Sequence, residues 1–125
     1  MENTNKIEIS AIMKIPKGKL EEFKDLVTES IKLTKERDRG TLKYDFYISN
    51  DETECEAREE FKNSEAFLEH SVNVREVLRK LSVKFPIDHV KVYGNPSTQL
   101  LESMKGFDIR VYSFSQGLEE KINTK

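Results

Sequence analysis

The sequence contains no tryptophan, one cysteine, three prolines and five glycines in 125 residues. The lone Cys55 excludes an internal disulfide and cannot by itself make a thiolate metal site. No apolar run approaches the roughly 20 residues that a membrane-spanning helix needs, so no membrane association is expected. The first six residues, Met1 to Lys6, lack an apolar stretch of the kind found in secretory signals, and a cytoplasmic location is the expectation. An excess of positive charge is also missing. Lys and Arg total 21 against 23 Asp and Glu, for a net charge of −2, and the two signs are interspersed. A nucleic-acid-binding surface requires a clustered cationic footprint, so that class of partner is not expected.

What remains is a charged, lean composition, with 36% hydrophobic and 35% charged residues. The length suits one domain. Its core has little apolar surface to spare, so burying more area in a homodimer would add stability.

The periodicity predicts an α+β chain. Ile7, Ile9, Ala11, Met13 and Ile15 alternate with Glu8, Ser10 and Lys14, marking a strand from Lys6 to Ile15 that is closed by Pro16-Lys17-Gly18. Leu20, Phe23, Val27, Ile31 and Thr34 then recur at helical spacing between Lys19 and Arg37. Acidic Glu21 and Glu22 at its start and basic Lys35 and Arg37 at its end suit the helix dipole, and Gly40 is a natural stop.

A second strand is predicted over Thr41 to Ser49, with Leu42, Tyr44, Phe46 and Ile48 sharing a face. After an Asn50-Asp51-Glu52 turn, the glutamate-rich stretch Thr53 to Lys62 alternates Cys55, Ala57, Glu59 and Phe61 with Glu54, Glu56, Arg58, Glu60 and Lys62. We read it as a third strand despite its helix-favouring glutamates. Asn63 or Ser64 caps a second helical region reaching about Lys84, which a break near Asn73 would divide in two. Ile87 to Gly94 forms a fourth strand.

The order βαββαβ is ferredoxin-like, with an antiparallel sheet and both helices on one face. Residues 1–94 form this unit. Residues 95–125 form an extension with a helix over Thr98 to Lys105, a strand over Asp108 to Phe114 and a frayed end over Gly117 to Lys125. The extension would pack on the same domain or on a dimer partner.

The open sheet face collects Glu8, Ser10, Ile12, Asp45, Tyr47, Glu56, Arg58 and Glu60, with either His89 and Tyr93 or Val90 and Val92. That mixture suits a wet two-fold interface, and a homodimer through this face is expected.

The run Glu59-Glu60-Phe61-Lys62-Asn63-Ser64-Glu65-Ala66-Phe67-Leu68-Glu69-His70 has a glutamate, an aromatic two residues on, a polar cap, an Ala-Phe pair and a histidine. It resembles the third-strand-to-helix signature of the antibiotic biosynthesis monooxygenase-like family. The strand–helix layout from Ile7 to Tyr93 is similar too, so the resemblance covers about three quarters of the chain.

It implies a homodimeric α/β barrel of ferredoxin-like subunits with a pocket between helices and sheet. Characterised members oxidise polycyclic phenols or quinols with O2, using neither metal nor flavin, and a related branch degrades haem. The haem-degrading pattern is not met: strand one offers Ser10 instead of asparagine, the third-strand aromatic is Phe61, and no tryptophan exists.

Strand parity places Glu59 on the helix-facing side, and helical spacing places His70 on the buried stripe. A carboxylate there could orient an imidazole and raise its basicity. The expected site therefore has His70 as base and Glu59 as its orienter, with Tyr44, Phe46, Phe61 and Phe67 around a flat aromatic ligand.

Against this stands the plainer reading that a Glu–His bond only pins helix to sheet and that the aromatics are core. Two functions follow: a cofactor-independent quinol or phenol monooxygenase, or a non-catalytic small-molecule-binding or accessory dimer. His89 carries no metal-ligand motif, so no metal is expected. Cys55 reads as a small buried hydrophobe. Gly94-Asn95-Pro96-Ser97 lacks the spacing of a phosphate loop.

Overall fold

The structure, a computed structural model, describes residues 5–118. The strand β1 (Ile7–Lys14) leads into helix α1 (Leu20–Arg37), followed by a hairpin of β2 (Thr41–Ile48) and β3 (Glu54–Phe61). Helices α2 (Ser64–Asn73) and α3 (Arg75–Lys84) precede β4 (Ile87–Tyr93), α4 (Thr98–Ser103) and β5 (Ile109–Tyr112).

The five strands form one sheet in the order β2-β3-β1-β4-β5. The first four are antiparallel, which is the ferredoxin-like arrangement expected from the alternation. β5 runs parallel to β4, so the completed sheet is mixed. A parallel neighbour needs a crossover, and α4 supplies it. The predicted frayed end continues past Leu118, where it lies outside the described residues. Among the described residues no helix is long and apolar enough to cross a membrane.

Local chemistry explains the joints. Asn63 accepts the Ala66 N–H through its side chain at 2.8 Å, a regular N-cap for α2. The break near Asn73 falls at Val74, whose backbone leaves helical geometry while its N–H still reaches the His70 carbonyl at 3.0 Å. Gly40 is required by contact, because a Cβ there would lie 2.5 Å from the Ala66 Cβ. That close approach brings the start of β2 against α2.

One side-chain expectation fails. Leu42 does not share the face of Tyr44, because β2 bulges between Thr41 and Lys43, and Leu42 is left 57% exposed. On β4 the register settles the open alternative. Val92 pairs with Ile9 and Val90 with Ala11 on the helix side, leaving His89, Lys91 and Tyr93 on the open face.

Between sheet and helices the core divides into two apolar clusters. One gathers Ile7, Ile9, Phe61, Phe67, Val92 and Leu100. The other gathers Met13, Phe23, Val27, Cys55, Leu81 and Phe85. Along β3, Glu59 lies between Phe61 of the first cluster and Ala57 of the second. Leu100 and Met104 from the C-terminal extension belong to the first.

Candidate functional site

His70 is positioned by α2 with its ring buried at 2% exposure. The ring lies among aromatics, 4.7 Å from the Tyr44 ring and 5.2 Å from Phe61, centroid to centroid. Its orienting carboxylate is Asp38, not the expected Glu59. Asp38 Oδ2 lies 2.7 Å from His70 Nδ1.

Asp38 sits at the C-cap of α1, where the chain turns into β2. It also accepts from Thr41 Oγ1 at 2.6 Å and from Asn73 Nδ2 at 2.8 Å. One buried side chain thus ties the end of α1 to β2 and to the end of α2.

The electrostatics follow from this wiring. Burial raises the Asp38 carboxyl, but hydrogen bonds from Asn73, Thr41 and His70 outweigh it and hold the group below its usual range. Burial lowers His70 from its ordinary value, and the Asp38 carboxylate only partly opposes it. At neutral pH the imidazole is therefore uncharged. Its Nδ1–H donates to Asp38, which leaves the lone pair on Nε2. An oriented neutral imidazole of this kind can accept a proton.

Tyr44 is the neighbour that links this pair to the rest. Its hydroxyl hydrogen-bonds to Ser30 Oγ of α1, and burial together with nearby Glu59 pushes the phenol above its ordinary value. Glu59 faces Tyr44 across the β2–β3 ladder and Ile9 across the β1–β3 ladder. Protein surrounds the Glu59 carboxyl deeply enough that burial pushes it up to about 8, so at neutral pH it is a neutral acid. It has no hydrogen-bond or ion-pair partner among the described residues. Tyr44 pairs with Glu59 across the ladder and packs its ring on His70, while Glu59 itself borders a water-sized crevice of about 10 Å³ with Ile9, Ser10, Lys43 and Arg58.

Beside this seam, α1 and the edge strand β2 enclose a groove of about 560 Å³. Phe23, Val27, Ile31, Phe46 and Ile48 give it apolar walls, and Tyr44 contributes its phenol. The volume is within the range of small-molecule sites.

The four aromatics expected to form a slot are therefore divided. Tyr44 and Phe46, with rings 4.9 Å apart, line the groove. Phe61 and Phe67 pack edge-on at 5.3 Å within the first apolar cluster. Among the described residues no group of three or more His, Cys, Asp or Glu side chains has a metal-holding arrangement. Cys55 is fully buried, and burial raises its thiol to about 12, far from reactive.

Asp38, Ser30 and Asn73 were not found by sequence reasoning. Asn73 registered only as a helix break. Asp38 lies in the charged run Lys35-Glu36-Arg37-Asp38-Arg39, where nothing separates it from solvated neighbours. The one available signal was its place directly after a helix end.

Comparison with solved structures identifies the architecture. MupZ from Pseudomonas fluorescens superposes with a TM-score of 0.75 at 22% identity, covering 91% of this chain and 93% of its own. A conserved protein from Methanosarcina mazei gives 0.67 at 19% identity, covering 75% of this chain and 96% of its own. The "Putative antibiotic biosynthesis monooxygenase" from Nitrosomonas europaea gives 0.63 at 15% identity, covering 74% and 91%.

The chain shares its fold with these proteins, one of which bears that monooxygenase name. No family model matches the sequence, and no curated protein does either. At these identities the likeness concerns the fold and leaves the chemistry to the site itself. The match to MupZ extends over most of both chains, so it takes in elements beyond the ferredoxin-like unit.

Proposed function

We propose that the protein binds a flat quinol-like or polycyclic phenolic molecule in the groove between α1 and β2 and oxidises it with O2 as a cofactor-independent monooxygenase. Tyr44 is the observation that carries this reading, since it lines the groove and also packs its ring on the Asp38-held His70.

In this role His70 Nε2 takes the phenolic proton, and the electron-rich phenolate delivers electrons to O2. In an anthrone-like ligand one C–H of the ring CH2 gives way to a carbon–oxygen bond, its hydrogen ending on the hydroperoxide, and loss of water, which breaks the O–O bond and the second C–H, leaves a ketone. The substrate supplies every electron, and one oxygen atom departs as water. Tyr44 and Phe46 hold the ring by aromatic contact.

Oxygen uptake by metal-stripped protein, with protein-free autoxidation subtracted, tests this on a panel of quinols and anthrone-like phenols. Uptake is expected to fall at least about 100-fold in His70→Ala, the usual weight of a general base. No uptake above background from folded wild type would overturn the reading.

The apolar character of the groove walls favours a second reading, a binding or accessory protein of the same fold. Saturable ligand binding without oxygen uptake is its expected signature.

We also propose that the working unit is a homodimer through the open sheet face. Half-exposed Tyr47, Tyr93 and Tyr112 sit there beside the Ser10–Glu56 hydrogen bond of 2.6 Å, a mixed surface suited to a wet interface. Light scattering should give a mass of two chains, and a monomer at micromolar concentration would contradict it.

A further inference from the structure

β2 is the outermost strand of the sheet, with β3 as its one neighbour among the described residues. The ladder fixes where its backbone groups point. Ser49 N–H donates to the Glu54 carbonyl at 2.9 Å, and in an antiparallel pair every second residue bonds across to the residue opposite. Lys43, Asp45 and Tyr47 therefore turn their N–H and C=O groups toward β3. The far side of β3 agrees: Ile15 N–H donates to the Thr53 carbonyl at 2.8 Å, which assigns the odd residues of β3 to β1 and the even ones to β2. The N–H and C=O groups of Tyr44, Phe46 and Ile48 are left facing outward along the edge.

Open edges of this kind are commonly shielded by a bulge or a covering loop. On β2 the bulge lies earlier, between Thr41 and Lys43. From Tyr44 to Ile48 the edge instead forms one wall of the groove of about 560 Å³. Five consecutive residues line it, from both faces of the strand, so the groove runs along the backbone itself. Its other wall is the Phe23, Val27 and Ile31 stripe of α1. A row of backbone donors and acceptors thus borders an apolar slot, and the three residues that supply it are half-buried. A ligand that displaces water from these groups without bonding to them leaves them unsatisfied, which costs as much as a lost hydrogen bond.

We infer that the Tyr44–Ile48 edge selects flat aromatic molecules that carry a hydrogen-bond donor and an acceptor side by side on one rim, a cyclic lactam being the simplest case. This rests on the groove being a ligand site, as proposed above. The Phe46 N–H, at the middle of the row, donates to the ligand carbonyl, and the ligand N–H donates to an outward carbonyl beside it. The rest of the ring system then extends toward Val27 and Ile31. A phenolic substrate of the proposed reaction meets the same requirement where a hydroxyl and a ring carbonyl share one rim.

The test titrates the protein with 4-methyl-2-quinolone and 1-methyl-2-quinolone, isomers of which only the first keeps the lactam N–H. Binding is read by ligand-observed NMR, and the edge by hydrogen–deuterium exchange of single amides. Without ligand, the amides of Tyr44, Phe46 and Ile48 should exchange faster than those of Asp45 and Tyr47. The 4-methyl isomer is expected to bind about tenfold tighter, the worth of a hydrogen bond whose loss strands its partner, and to slow exchange at Phe46. Lys24→Met, Thr28→Val, Asp45→Ala and Tyr47→Phe remove polar side chains at the groove in turn, and each should keep the preference.

Loss of the preference in one of these variants assigns the recognition to that side chain and overturns the backbone role. Equal binding of the isomers, or unchanged exchange at Phe46, overturns it too and leaves the groove as a ligand site. Three edge amides already protected without ligand would mean that another chain covers the edge, and the inference falls. Binding of 1-tetralone but of neither quinolone overturns this inference alone, whereas failure of all three to bind overturns the groove reading with it.

Discussion

The apolar clusters and the polar seam between them occupy one layer of the molecule, yet they answer to different demands. Phe85 in the second cluster is fully buried and meets Phe23 edge-to-face at 5.0 Å, surrounded by side chains that want nothing but contact. His70 is nearly as buried, but its neighbours are a carboxylate, a phenol ring and one further aromatic ring. A core of this size gains stability from every apolar side chain it closes over. Placing Asp38, His70, Tyr44 and Glu59 in that layer gives up part of the gain. Hydrogen bonding recovers it at Asp38, which has three partners, but not at Glu59, which has none among the described residues. The difference separates a polar scaffold, whose hydrogen bonds are made within the protein, from a carboxyl that burial alone governs.

Mutations on the two sides of this divide should behave differently. Phe85→Ala should cost the most, about 4 kcal/mol in urea unfolding, and nearly the same at every pH because no charge is involved. A markedly smaller loss would mean that the cluster is looser than its packing indicates. Asp38→Ala comes next, at about 3 kcal/mol, since it strands the buried donor of His70 and the half-buried donors of Thr41 and Asn73. It should also impair oxygen uptake by freeing the imidazole to rotate.

Glu59→Gln goes the other way. A carboxyl raised in the folded state contributes stability that is complete below its ordinary range near 4.5 and is lost as pH rises through about 8. The variant should therefore match wild type near pH 4 and exceed it by about 2 kcal/mol near pH 9. An equal stability at both values would show that Glu59 is already paired.

His70 shifts downward, so its contribution has the opposite sense and is present above its ordinary value of 6.5, fading as pH falls below it. Acid unfolding of wild type should begin in that range and be shallower in His70→Phe.

Much of this layer could be read from residue order alone. Alternation on β3 survived its glutamates because Cys55, Ala57 and Phe61 fall on one parity, and that parity carried Glu59 inward. Helical spacing carried His70 inward for the same reason. The Leu42 bulge was not legible, since a bulge is set by how two strands register and not by either one. The Asp38–His70 bond was not legible because its partners are 32 residues apart and joined by a loop conformation at a helix end. Periodicity tells which face a side chain takes; it says little about which buried groups then meet.

A ligand seated in the groove between α1 and β2 is the central claim, and its position can be mapped directly. Amide and side-chain NMR shifts should be mapped on isotopically labelled protein titrated with 1-tetralone. Changes concentrated at Val27, Ile31, Tyr44 and Phe46 are the predicted result. Changes confined to the open sheet face around Ser10, Lys91 and Tyr93 would contradict it.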